Sequence, residues 1–150
     1  MDLKEFDRSA QELRLLNLLV WKDGKEILRR DYDGEIRRNQ YSASKSFTSA
    51  AVGIAQREGL LSLEEKLADE PDEFLQEARV RDLLTMALGQ KSPALMGEQR
   101  PFLKERDWVK YSLAQPFIRK PGSEFQYNNV GPYLAGILVQ RRAGCDLVSY

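Results

Sequence analysis

Two pairs of residues have the types and spacing to do chemistry. Ser42 and Lys45 lie three residues apart where an apolar helical pattern begins, and Tyr127 is followed two residues later by Asn129. A serine hydroxyl attacks a carbonyl carbon only when a neighbouring base takes its proton. The chain contains no histidine, so lysine and tyrosine are the candidate bases. The two pairs therefore predict acyl transfer by a serine whose base is not an imidazole.

The helix predicted to begin at Ser42 explains how the first pair would work. Residues three apart lie on one face of a helix, so Ser42 and Lys45 are expected to be neighbours. The positive end of the helix favours an oxyanion, to which the Ser42 backbone N–H could donate. Lys45 would accept the serine proton, or stay charged and help to ionise Tyr127, since a tyrosine ordinarily titrates near about 10.

Each pair also has a simpler interpretation. A serine at Ser42 is a preferred N-cap of a helix, and the Tyr-x-Asn pattern is most often a loop aromatic. A non-enzymatic helical protein with chance motifs would satisfy both. However, each pattern matches once in the chain, and both matches fall at structural junctions. That placement favours the chemical interpretation.

Composition narrows the classes of partner. Lys+Arg and Asp+Glu both number 23 in 150 residues, so no net field attracts nucleic acid or an anionic membrane. The longest apolar run, 15–21, is too short to span a bilayer. With one cysteine and no histidine, we expect no disulfide, no metal and no cofactor. The acidic residues around Pro71 are predicted to face solvent rather than calcium, and the charged first residues predict a cytoplasmic protein.

The order of predicted elements indicates an α+β fold. A hairpin over 15–32, with strands 15–21 and 25–32 joined by a turn at Asp23-Gly24, precedes a helical region over 42–150. Helices are predicted over 4–14, 42–58, 63–68, 81–88, 107–114 and 130–143. No linker divides the chain, so residues 1–150 are predicted to lie in a single domain. Two strands alone are marginal in water, which means that the hairpin needs further strands beside it.

Four stretches carry a family resemblance: 41–48 (YSASKSFT), 58–63 (EGLLSL), 80–86 (VRDLLTM) and 121–129 (PGSEFQYNN). In this order they resemble the serine β-lactamase-related hydrolases, and most of all the branch of class C β-lactamases, esterases and amide hydrolases. The resemblance implies a β-lactamase/transpeptidase-like fold and an acyl-enzyme formed from a small-molecule ester, amide or lactam. It implies Ser42 as nucleophile, Lys45 and Tyr127 as proton-transfer groups, and Asn129 as a substrate-binding residue that also holds Lys45.

The chain also departs from this family pattern. Family members continue past the equivalent of Tyr150 with further strands and a third motif, so the C-terminal sheet strands are expected to be missing and the domain to be partial. Ala87-Leu88 replace a Thr-Ser pair, and Gly89-Gln90 stand where glycine precedes histidine or leucine, so a loop near the site is expected to differ. Two functions stay open. One is an active serine hydrolase; the other is a truncated, catalytically incompetent relative acting as a fragment or interaction domain. The exposed hairpin edge invites self-association or a complementing chain.

Overall fold

The computed structural model describes residues 3–34, 36–68 and 73–150. The chain divides into two compact units, Met1–Gln40 and Tyr41–Tyr150. Three of the acidic residues predicted to face solvent, Asp69, Glu70 and Asp72, lie outside the described residues. Among the described residues, no helix has the length and apolar character that crossing a membrane requires.

The first unit contains the predicted hairpin. Its elements are helix α1 and the antiparallel strands β1 and β2, which span Lys4–Glu12, Asn17–Lys22 and Lys25–Asp31. The turn residues Asp23 and Gly24 have φ angles of 51° and 73°, the left-handed pair that a two-residue hairpin turn requires. Strand β1 begins two residues later than predicted because the chain first reverses after α1. In that reversal the Leu15 N–H donates to the Ala10 carbonyl at 2.8 Å.

A carboxylate on α1 ties this helix to the hairpin. Asp7 accepts hydrogen bonds from Arg30 Nε at 3.0 Å and from the Tyr32 hydroxyl at 2.6 Å. Elsewhere on the hairpin, Arg29 pairs with Glu26 at 2.7 Å. Two arginines of the hairpin are thus paired with carboxylates of the same unit.

The second unit is helical. Helices α2 to α6 span Ser44–Arg57, Glu73–Glu77, Val80–Leu84, Trp108–Leu113 and Val130–Ala143, and two 3-10 turns span Tyr41–Ala43 and Arg100–Phe102. Helix α6 packs against α2, α4 and α5. On the last of these contacts, the rings of Trp108 and Tyr133 meet edge to face at 5.9 Å. The core is aliphatic, and its largest fully buried members include Val52, Leu75, Leu83, Leu88, Leu95, Val130 and Val139.

Helix α6 has the predicted bounds because its ends are encoded locally. Pro132 lies in the first turn, which tolerates a residue without an N–H, and Gly144 ends the helix with a φ of 71°. A close approach fixes the start of α6: any Cβ at Gly131 would clash with the Leu83 carbonyl oxygen of α4. Glycine at this position therefore lets the two helices meet backbone to backbone.

Two helix predictions are wrong. Residues 63–68 form no helix, because the Leu67 N–H donates to the Ala78 carbonyl and the Val80 N–H to the Glu65 carbonyl. These bonds commit the backbone to pairing with 78–80, although the Ser62 N–H donates to the Glu65 carboxylate and the Ser62 hydroxyl accepts the Glu64 N–H, as at the start of a helix. The helix predicted over 81–88 ends at Leu84 instead. The short helix α3 was not predicted.

The early end of α4 has a long-range cause. Met86 takes a φ of 55°, and its carbonyl accepts the Gln126 N–H at 3.0 Å. The Ala87 carbonyl likewise accepts the Gly122 N–H at 2.7 Å. Carbonyls that would have continued the helix are thus used to hold the segment that leads to Tyr127.

Candidate active site

Three side chains meet at one point of the second unit. Lys45 Nζ donates to Ser42 Oγ at 2.9 Å and to the Tyr127 hydroxyl oxygen at 3.2 Å. The Tyr127 hydroxyl in turn donates to Ser42 Oγ at 2.6 Å. The hydroxyl, ammonium and phenol therefore form a closed triangle of hydrogen bonds, although Ser42 and Tyr127 are 85 positions apart in the sequence.

Ser42 is presented by a turn that precedes the helix rather than by the helix itself. It lies in the 3-10 turn Tyr41–Ala43, and α2 begins at Ser44 with Ala43 as its N-cap. The N-cap interpretation of Ser42 is therefore wrong. Tyr41 has a φ of 45°, and its carbonyl accepts the Ser44 hydroxyl at 2.6 Å, so a strained residue directly before Ser42 is held by the first residue of α2.

Lys45 is placed by the first turn of α2. Its side chain is half-buried, and Nζ lies 5.2 Å from the centroid of the Tyr127 ring. At that distance the ammonium also interacts favourably with the face of the ring. The Lys45 ammonium therefore contacts both other members of the site: it donates hydrogen bonds to Ser42 and Tyr127, and its charge interacts with the Tyr127 ring.

Tyr127 is 41% exposed and lies on a segment without regular secondary structure. Its hydrogen bond with Ser42 and the bond from Lys45 lower the pKa of the Tyr127 phenol from the ordinary value of 10.0, while burial acts in the opposite direction. Both bonds favour the phenolate. The phenolate is the form of tyrosine that can take a proton from serine.

Asn129, two residues after Tyr127, makes different contacts from those that the resemblance implies. Its Nδ2 donates to the Leu95 carbonyl at 2.8 Å, and its backbone N–H donates to the Ala94 carbonyl at 3.2 Å. Within residues 3–34, 36–68 and 73–150, no hydrogen bond joins Asn129 to Lys45. Asn129 anchors the loop around Leu95, a buried residue with a φ of 57°.

The sequence interpretation gave no role to Asn128, although this residue is fully buried between Tyr127 and Asn129. Its side chain bonds to the backbone on both sides of Tyr127. Asn128 lies one residue before Asn129, the N-cap of α6, and two consecutive asparagines at a helix start are a signal that could have drawn attention to it. As for metals, the described part of the chain contains no group of three or more potential ligands among His, Cys, Asp and Glu.

The sequence profile of the family described as Beta-lactamase matches residues 6–149. The chain belongs to the beta-lactamase family. The matched range contains Ser42, Lys45, Tyr127 and Asn129, so the triangle lies within the part of the chain that defines its membership. No curated protein matches the chain.

Solved structures of other beta-lactamase-like proteins share the fold. The penicillin binding protein from Bacillus halodurans is 20% identical with a TM-score of 0.68, over 100% of this chain and 52% of that one. The octameric penicillin-binding protein homologue from Pyrococcus abyssi is 22% identical with a TM-score of 0.65, over 100% and 41%. The D-amino acid amidase from Ochrobactrum anthropi SV3 is 19% identical with a TM-score of 0.61, over 93% and 48%.

At these identities the likeness shows the fold alone. It confirms the predicted α+β architecture of the β-lactamase/transpeptidase type. This member of the beta-lactamase family spans about half of the length of these structures, or less.

The departures from the family pattern lie in the core of the second unit. Leu88 and Gln90 are 1% and 2% exposed, and Ala87 is buried as well. Gly89 packs so closely on the Arg119 carbonyl that a Cβ would clash with it. All four positions are buried, so a change at any of them would first alter the packing of the second unit.

Proposed function

We propose that this chain carries the acylating centre of a serine hydrolase, with Ser42 as nucleophile and Lys45 and Tyr127 as proton-transfer groups. The observation that supports the proposal is the triangle of bonds at 2.6, 2.9 and 3.2 Å among Ser42 Oγ, Lys45 Nζ and the Tyr127 hydroxyl. A simple structural role would not require a hydroxyl that accepts two donors at the exposed start of a helix.

The proposed reaction begins with the phenolate of Tyr127. Ser42 Oγ forms a bond to the substrate carbonyl carbon while its proton moves to the phenolate oxygen. When the tetrahedral intermediate collapses, the bond to the leaving oxygen or nitrogen breaks and Tyr127 returns the proton to that atom. Water then attacks the acyl-Ser42 ester by the same proton path in reverse. Lys45 Nζ is hydrogen-bonded to both oxygens, and as the second proton-transfer group it relays a proton between Ser42 Oγ and the Tyr127 oxygen.

Two further groups would bind the substrate. The Ser42 backbone N–H, close to the positive end of α2, is the proposed donor to the oxyanion. Asn129 is the proposed substrate-binding residue, with its Oδ1 atom available to an amide N–H while Nδ2 donates to Leu95. The substrate class is a small-molecule ester, amide or lactam. The names of the structural neighbours, a penicillin binding protein and a D-amino acid amidase, support the amide and lactam part of that class.

Covalent labelling tests the proposal. A fluorophosphonate or a fluorescent penicillin should label the protein, and Ser42→Ala should abolish the label. Ser46→Ala is the matched control, because Ser46 is also an exposed serine one turn further along α2, and its label should equal that of the wild type. Labelling that survives in Ser42→Ala would show that the nucleophile is assigned wrongly.

A second candidate function is that of a catalytically incompetent relative which binds another chain through the hairpin. It is favoured by the size of the sheet, since the described residues contribute only the two strands β1 and β2 to it. Trp21 and Ile27 are exposed on this hairpin. Light scattering coupled to gel filtration distinguishes the two functions: an assembly without turnover supports the second, and turnover by a monomer supports the first.

The domain organisation is a separate proposal. We propose that both units belong to a single domain, as the span of the family match over residues 6–149 suggests.

A further inference from the structure

The segment that carries Tyr127 has no helix or strand to fix its side chains. Residues 124–128 are irregular, between the turn that ends at Ser123 and the start of α6. A phenol at 2.6 Å from Ser42 Oγ nevertheless needs a well-defined backbone. The bond from the Gln126 N–H to the Met86 carbonyl at 3.0 Å holds one side of the segment.

Asn128 holds the same segment from within. Its side chain is 1% exposed, and both ends of its amide are used. Nδ2 donates to the Gln126 carbonyl at 2.7 Å, and Oδ1 accepts the Gly131 N–H at 2.9 Å. The two bonds reach the residue before Tyr127 and the first turn of α6, so they bracket Tyr127 on both sides.

The far end of this bracket is firmly placed. Gly131 lies directly against the Leu83 carbonyl of α4, with no room for a Cβ between them. A bond to the Gly131 N–H therefore fixes Asn128 to the contact between two helices of the core. Through its second bond, Asn128 transmits this fixed position to the Gln126 carbonyl.

We propose that Asn128 is a positioning residue that holds the Tyr127 phenol against Ser42 and Lys45. This inference rests on the proposed function for its consequence in catalysis. Its structural part concerns only where the phenol lies. A buried asparagine that merely stabilised the start of α6 would affect the stability of the fold without changing the surroundings of the phenol.

Nuclear magnetic resonance of protein labelled with ¹³C at the tyrosine Cζ atom tests the inference directly. Tyr127→Phe assigns the Tyr127 resonance, and a pH titration reports the pKa of its phenol. Asn128→Leu removes both bonds at similar volume. Asn128→Ser keeps a hydroxyl that can accept the Gly131 N–H and loses the reach to Gln126. Val130→Ala is the matched control, because Val130 is equally buried beside Asn128 and makes no bond that brackets Tyr127.

We expect the pKa of Tyr127 to be higher in Asn128→Leu than in the wild type. The increase in pKa should be smaller in Asn128→Ser and absent in Val130→Ala. Labelling of Ser42 should fall about 100-fold in Asn128→Leu, the effect of a displacement of about 1 Å. If Asn128→Leu does not fold, the same criterion applies to Asn128→Ser.

The inference would be overturned if the pKa of Tyr127 in both Asn128 variants equalled that of the wild type. It would also be overturned if Val130→Ala shifted this pKa as much as Asn128→Leu does. Failure of the proposed function gives a different result. In that case the wild-type protein takes no label from either probe, while the titrations still report whether Asn128 places the phenol.

Discussion

The two halves of the candidate site are built in different ways. Ser42 and Lys45 are three residues apart, and a 3-10 turn followed by the first turn of α2 places both. Tyr127 lies on an irregular segment. Hydrogen bonds hold this segment to the Met86 carbonyl and, through the Asn128 side chain, to the Gly131 N–H. One half is encoded by neighbours in sequence, whereas the other depends on contacts between distant parts of the fold.

This difference determines how each half should fail. A side chain on a helix can be replaced without loss of the helix, so changes at Lys45 should lower the reactivity of Ser42 and leave the fold unchanged. The irregular segment has no such independence, because its hydrogen bonds lead through Asn128 to Gly131, and Gly131 packs directly on the Leu83 carbonyl of α4. Changes there should alter structure and chemistry together.

Lys45→Met gives the largest expected effect and tests the helical half. Labelling of Ser42 should fall by about 10²–10⁴, the range for loss of a proton-transfer group, because neither the serine nor the phenol keeps its cation. Circular dichroism should show unchanged helix content, since methionine is a good helix former. Lys110→Met, on α5 and paired there with Glu105, is the control and should label like the wild type. A Lys45→Met protein that lost its helices would contradict the proposed independence of this half.

The pH dependence of labelling tests whether Lys45, in the helical half, acts on the pKa of Tyr127, in the irregular half. The phenolate is the reactive form, so the rate of labelling should rise with pH through the pKa of Tyr127, which lies below 10.0. In Lys45→Met the remaining signal should have its midpoint at higher pH, because one of the bonds that lower this pKa is gone. Rates measured from neutral to alkaline pH check this. A midpoint that does not move would mean that Lys45 does not act on Tyr127.

Gly131→Ala tests the irregular half through stability. The new methyl group would clash with the Leu83 carbonyl, and overpacking of this kind costs about 1–3 kcal/mol of unfolding free energy. Labelling of the folded protein should fall as well, since the Gly131 N–H holds Asn128. Gly53→Ala is the matched control: it also lies inside a helix, nothing within 4 Å would meet its Cβ, and the change should stabilise by up to about 1 kcal/mol. Urea denaturation measures both.

Asp107→Ala gives the smallest effect. It tests whether the loss of a helix cap away from the site changes stability alone. Asp107 caps α5 by accepting the N–H groups of Val109 and Lys110 at 2.9 and 3.0 Å. Its loss should cost about 1 kcal/mol of stability, with no change in the labelling of Ser42. A change in labelling would show that the ends of α5 and the site are coupled.

The features that the sequence predicts well are those with a local cause. The turn at Asp23-Gly24 and the bounds of α6 each follow from residues within a few positions of one another. Motif spacing and the absence of histidine also single out Ser42, Lys45 and Tyr127. The structure brings these side chains within hydrogen-bond distance of one another, and their chemical roles stay a prediction.

The features that the sequence predicts poorly depend on distant backbone. Ser62 makes hydrogen bonds typical of a helix start, with the Glu65 carboxylate and the Glu64 N–H, yet residues 63–68 pair with 78–80 instead of forming a helix. Similarly, neither the 3-10 turn at Ser42 nor the bracket made by Asn128 can be foreseen from propensity, since each needs partners whose position the fold alone defines. The contact of Asn129 with Leu95 is another case.

The two tryptophans of the chain are distributed one to each compact unit. Trp21, on β1, is 58% exposed, whereas Trp108 packs on Tyr133 between α5 and α6. Their fluorescence should consequently differ in colour, red-shifted for the first and blue-shifted for the second. Variants that keep a single tryptophan, Trp21→Phe and Trp108→Phe, turn this into an optical readout of whether the hairpin and the helical unit lose their structure in one cooperative step or in two.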